Sequence, residues 1–277
     1  MREKDKSDLS ISEIAESAYQ ATCSIRNFLE KNMVPILEGA LSLNEKESAI
    51  VGTYYNMLGW LNALAVLNSP KYFQTVAAAS RSLFESLVDL HFLAGDLIAE
   101  PIKKFHAFTE VERLRGAKDR LDFFQRHPNE VLYGFSPAKA KEYITPEREE
   151  SVKTICLELW GTVKSGKIPR RRHWSGIDSL YDRAKKISPK YEGFYVQLYP
   201  LFSWFVHPGP QGYSGIKSEM PFESLCGLAH VSAQQFIIEG TKICGKEMKI
   251  SICIESFYRD LDNLADKFAE IMLKRRK

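Results

Sequence analysis

Apolar positions recur along this chain at spacings of three and four, the period of a helix that buries one face. Ile14, Ala18, Ile25, Phe28 and Leu29, behind Ser10 and Ser12, begin a pattern that runs toward Leu37 and is interrupted near Pro35. Asn44 with Glu47 carries the capping-box signature, and Ile50, Tyr54, Met57, Leu58, Leu61, Leu64 and Ala65 continue the pattern to Asn68. Ser69-Pro70 then predicts a cap followed by proline in the first turn, opening a helix that Gly95 ends. Leu83, Phe84, Leu87, Val88, Leu90 and Leu93 cover so much of that helix that it reads as central to the bundle.

The same punctuation recurs downstream. Glu100-Pro101, Ser136-Pro137, Thr145-Pro146, Ser188-Pro189 and Pro221 each open a helix, Ser175 caps a short one, and Pro200 kinks the aromatic segment that ends at His207. Gly240 and Gly245 are expected to weaken the end of the helix that follows Pro221. Residues 162–176 break the pattern into a basic loop, 208–215 into a turn-rich one, and Phe257, Leu261, Leu264, Phe268 and Ile271 form a final apolar seam. No alternating stretch with hairpin turn chemistry competes with helix. The expectation is an all-α bundle of about eight to ten helices with no significant sheet. It is divided into an N-terminal amphipathic arm (1–43), a helical core (44–245) and a C-terminal helix packed on or extending that core (246–277).

Composition narrows the class without naming a function. A chain of 277 residues that is 44% hydrophobic and 26% charged is ordinary for a globular protein, and a net charge of +3 does not mark a nucleic-acid binder. Five scattered cysteines, without a CxxC pair or a histidine at ligand spacing, read as free thiols in a reducing cytoplasm. The charged N-terminus lacks an apolar signal core and no run is long enough to span a bilayer, so a cytoplasmic protein with no membrane association is expected. No cofactor and no metal site is expected. His106 and Glu110, one turn apart, are two ligands without a third.

Three stretches could carry chemistry. Arg81, Glu85 and Asp89 lie four residues apart and form one charged stripe on the central helix. An arginine fork there could orient a phosphate and a desolvated carboxylate could act as a base, while the plainer reading is an internal ion pair that fixes helix register. His207 ends an aromatic helix with Ser203 one turn before it; it could be a general base or a cap on the last carbonyls. Arg170-Arg171-Arg172-His173-Trp174 combines cations with an aromatic ring, which suits a phosphate backbone and a stacked base as well as it suits a solvated loop.

Arg81-Ser-Leu-Phe-Glu85, Phe108-Thr-Glu-Val-Glu-Arg113, His173-Trp-Ser-Gly176 and Leu201-Phe-Ser-Trp-Phe-Val-His-Pro208 occur in this order. With them the chain resembles, over about residues 45–240, an uncharacterised family of bacterial helical proteins, a domain of unknown function. The resemblance implies no activity, but it draws Arg81, Glu85, Glu112, Trp174, Ser203 and His207 into one set. A weaker similarity is to the HEPN superfamily of helical ribonucleases and toxins, marked by an arginine, four to six residues and a histidine. Only Arg120 to His127 has that spacing, at a helix end before proline, so Arg81 with His207 would depart from the linear motif.

The leading functional expectation is therefore a pocket that handles RNA or another phosphate-bearing ligand, in a defence or toxin role. Arg81, Glu85 and His207 would be catalytic, and Glu112, Arg171, Arg172, Trp174 and Ser203 would bind the ligand. Any catalysis would be that of a metal-independent ribonuclease or phosphoesterase, and a homodimer is compatible with it. The rival is a non-catalytic helical module that binds a protein partner or small ligand, its charges holding the bundle together.

Overall fold

The structure, a computed structural model, describes residues 10–40, 42–67, 69–128, 136–161, 172–206 and 222–251, together with 253, 254, 257, 259, 262, 263 and 266. Among the described residues the chain is all-α, without a strand, as the periodicity predicts. Its helices are α1 (Ile11–Asn32), α2 (Val34–Glu38), α3 (Glu45–Leu64), α4 (Phe73–Ala94), α5 (Pro101–Arg126) and α6 (Pro137–Tyr143). After them come α7 (Pro146–Trp160), α8 (Leu180–Ile187), α9 (Pro189–Gln197), α10 (Tyr199–Val206) and α11 (Phe222–Glu247). None of the described helices is long and apolar enough to cross a membrane. The apolar seam expected at 257–271 falls largely outside the described residues, as does the loop at 208–215.

The chain divides into two compact units, one of residues 1–97 with 183–277 and one of residues 98–182. In the first, α4 packs against α3, α10 and α11, and α11 also packs against α1 and α3. Capping is locally encoded: Ser10 and Glu13 close a capping box on α1, and Asn44 and Glu47 close another on α3. The start of α4 differs from expectation. Ser69 and Pro70 lead into a single 3₁₀ turn, Pro70–Tyr72, closed by the Tyr72 N–H donating to the Ser69 carbonyl at 2.9 Å, and the α-helix begins only at Phe73.

Helix α11 runs unbroken through Gly240 and Gly245, where weakening was expected. A Cβ at Gly240 would lie 2.8 Å from the Met57 thioether and 3.4 Å from Leu90 Cδ1, so the glycine lets α11 approach α3 and α4 closely. That packing outweighs a helix penalty of about 1 kcal/mol. The core of this unit includes Tyr54, Met57, Leu61, Leu83, Leu87, Phe92, Phe202, Phe236 and Ile237, all buried.

Several polar groups buried in the unit are hydrogen-bonded. The Tyr54 and Thr241 hydroxyls meet at 2.8 Å, and Thr22 lies 3.1 Å from His230 Nδ1 while Gln234 Nε2 donates to the Ala18 carbonyl at 2.6 Å. Burial pulls the His230 pKa down to about 4, so the ring is neutral across the physiological range.

In the second unit, Val111, Leu114, Val152 and Cys156 form a small core between α5 and α7, flanked by Tyr143, Ile144 and Trp160. Ser136 and Thr145 cap α6 and α7 by accepting from the backbone N–H three residues on, with Pro137 and Pro146 in the first turns, as read from the sequence. Ser175 does not cap α8 as expected. Its hydroxyl is held in a turn with His173 Nδ1 at 2.9 Å, and Ser179 Oγ accepts from the Asp182 N–H instead. Gly176 closes that turn at φ 80°, a left-handed conformation that favours glycine, with Trp160 Cδ1 2.9 Å from where a Cβ would stand.

Candidate functional site

The stripe on α4 does assemble, and two residues that the sequence reading left out complete it. Arg81 and Glu85 are one helical turn apart, and Arg81 Nε donates to Glu85 Oε1 at 2.9 Å. Tyr199, at the start of α10, donates its hydroxyl to the same Glu85 oxygen at 2.7 Å. The Arg81 guanidinium carbon also lies 4.9 Å from the centre of the Tyr199 ring, a cation–π contact that fixes the fork. One turn further along α4, Asp89 accepts from Arg183 of α8 at 3.1 Å. Two guanidinium groups, two carboxylates and a phenol therefore make one array.

Burial grades across the array. Arg183 is 8% exposed, whereas the Arg81 and Glu85 side chains keep 22% and 40% of their surfaces open. Burial alone would lower the Arg81 pKa, but the hydrogen bond and charge of Glu85, helped by Tyr199, more than offset it and the net shift is upward. For Arg183 burial prevails over the attraction of Asp89, Glu85 and Tyr199, and the shift is downward. Burial, reinforced by the hydrogen bond to Glu85, pushes the Tyr199 phenol up to about 12, which makes it a hydrogen-bond donor rather than a nucleophile. Phe84 packs at 6.2 Å from the Tyr199 ring and Tyr195 stacks on it at 5.0 Å, so aromatic surface supports the array from below.

The other residues singled out from the sequence go to different places. Glu112 belongs to the second unit and pairs with Arg115 one turn further along α5. Trp174, in the same unit, is buried, with Phe105 edge-on at 5.4 Å and its carbonyl accepting from Trp160 Nε1 at 2.9 Å. The Arg172 backbone N–H donates to Asp178, leaving its side chain exposed. Ser203 lies on α10 one turn beyond Tyr199, its hydroxyl oxygen buried and without a hydrogen-bond partner among the described residues. Arg171 and His207 lie outside the described residues.

His91, read from the sequence as a satisfied core histidine, faces the Tyr191 hydroxyl, and burial lowers its pKa to about 4. In the second unit Glu110 is taken by Arg113 and Tyr143. No group of three metal-ligating side chains occurs among the described residues. Arg120 sits within α5 and His127 is its C-cap, with the His127 ring 4.9 Å from Phe123.

Arg183 could have been found in the sequence. It falls between Leu180 and Ile187, one turn from each, which puts a cation on the apolar face of α8. Tyr199 left no comparable signal, because it is one of many aromatics in its segment.

Fold and array together define an all-helical protein with a charged array on its central helix. A family model matches residues 47–219, and the chain belongs to that family, the family of unknown function DUF5677. No curated protein and no solved structure matches the chain.

Proposed function

We propose that the protein is a non-catalytic helical module that binds a small ligand, and that the array on α4 fixes the bundle rather than performing a reaction. The observation that carries this reading is the double use of one oxygen: Glu85 Oε1 accepts from both Arg81 and Tyr199. A carboxylate already holding a guanidinium and a phenol is stabilised as an acceptor, and its partners are positioned by it in turn. Asp89 is similarly engaged with Arg183, so each carboxylate of the stripe faces a guanidinium.

The test compares the parent with Arg81→Gln and Glu85→Gln, each confirmed helical by circular dichroism, on mixed RNA and on simple phosphoesters. No turnover by any of the three is expected, while both substitutions lower the melting temperature. Turnover by the parent that falls by about 10²-fold or more in folded Glu85→Gln would overturn the reading in favour of a metal-independent ribonuclease or phosphoesterase.

A further inference from the structure

No charged residue occurs from Ser48 to Pro70, which takes in all of α3 beyond its first turn. One face of that helix is deeply packed, with Ile50, Tyr54, Met57, Leu61 and Leu64 fully buried. The opposite face carries Gly52, Asn56, Gly59, Ala63 and, in the turn that follows the helix, Val66, at spacings of four, three, four and three. Gly52, Asn56 and Gly59 are exposed, Ala63 is half-buried and Val66 is 70% exposed. A solvated helix face ordinarily carries charge, and this one carries none.

Neither glycine is required by the packing of its own chain. A Cβ at Gly52 or Gly59 would meet nothing within 4 Å among the described residues, in contrast to Gly240, where Met57 stands in the way. Glycine is a poor helix former, so two of them on an open face weaken α3 without a compensating contact among the described residues. Their effect is to leave the face flat, which lets the axis of a second helix come close.

The charges at the two ends of the stretch define the partner that fits. Glu45 and Glu47 lie in the first turn of α3, and Lys71 lies in the 3₁₀ turn beyond its far end. A second copy laid antiparallel about a two-fold axis at Gly59 sets one Gly59 on the other and drops Val66 over Gly52 of the other copy. It also brings the acidic end of each helix to the end of the other that carries the lysine. Between those ends no like charges meet, whereas a nucleic acid or a strongly charged peptide would find no opposite charge to pair with. Charged side chains are depleted at the centres of protein interfaces, which is the composition found here.

We propose that the chain forms a two-fold homodimer through this face of α3, with the two helices antiparallel and crossing at Gly59. The face runs about 20 Å along the helix, at about 1.5 Å per residue. That is short for a permanent dimer, so association in the micromolar range is expected. Dimerisation goes beyond the ligand-binding reading above and does not depend on it.

Sedimentation velocity on the full chain from about 1 to 200 μM is the test. The parent is expected to pass from one chain to two across that range. Gly59→Glu and Gly59→Lys each set like charges against one another at the two-fold axis. Both replace glycine by a better helix former in open space, so they should stay helical by circular dichroism and lose roughly 100-fold or more in affinity. An equimolar mixture of the two should recover the dimer, because glutamate then faces lysine. Val66→Asp, outside the helix and at a 70% exposed position, should also weaken association and probes the same face without altering α3. A parent that stays a single chain throughout the range overturns the proposal and leaves the face to a different partner. Dimers of Gly59→Glu and Val66→Asp as tight as the parent's overturn it as well, since the contact would then lie elsewhere. Monomeric single variants whose mixture remains monomeric contradict the antiparallel pairing at Gly59.

Discussion

Replacing Asp89 by alanine is expected to remove about 3–5 kcal/mol of stability, because it leaves a buried guanidinium without its carboxylate. Arg183 is 8% exposed and its paired oxygen on Asp89 is 3.1 Å away. An arginine cannot shed its proton to escape, so the desolvation already spent on it would no longer be offset. Glu85 and Tyr199 also act on Arg183, which places the loss at the lower end of the range. Asp89→Ala combined with Arg183→Met should cost much less than the sum of the single changes, since the double variant buries no orphaned charge. Urea denaturation of the four proteins measures the cycle. An Asp89→Ala loss below about 0.5 kcal/mol would mean that the pair contributes no more than an exposed surface bridge.

Phe236→Ala is expected to cost a comparable 3–5 kcal/mol, by cavity formation rather than electrostatics. The ring is 1% exposed on α11, and its centre lies 5.2 Å from that of Phe84 and 5.5 Å from that of Phe194. Phe84 sits on α4 between Arg81 and Glu85, and it also touches Tyr199, so the aromatic cluster forms the floor beneath the charged array. Phe236→Leu keeps most of the volume and should recover most of the loss. The same urea series measures it, and equal losses for leucine and alanine would point to ring geometry rather than filled volume.

Much of this architecture was legible because its signals are local. Asn44 with Glu47, and the prolines at 137, 146 and 189, announce helix starts through contacts within a single turn. Arg81 with Glu85 was legible for the same reason, being one turn apart. The rest of the array was not, because Arg183 lies 94 positions from Asp89 and Tyr199 lies 114 from Glu85. Periodicity says which face a residue occupies and nothing about which distant helix meets it. Helix α11 shows the same limit, since its passage through Gly240 depends on Met57 and Leu90.

The central claim is that Glu85 is engaged by its neighbours, and the titration of Tyr199 tests it most directly. Burial pushes the Tyr199 phenol up to about 12, and the hydrogen bond it donates to the Glu85 carboxylate at 2.7 Å adds to the shift, because loss of the proton would set two negative oxygens side by side. Carbon-13 labelling of tyrosine Cζ, with Tyr199→Phe assigning the resonance, follows that proton alone. The account predicts a neutral phenol through pH 11 in the folded protein. A Tyr199 signal that titrates at or below the ordinary value near 10 would show the hydroxyl free of Glu85, and the closed array would then be wrong.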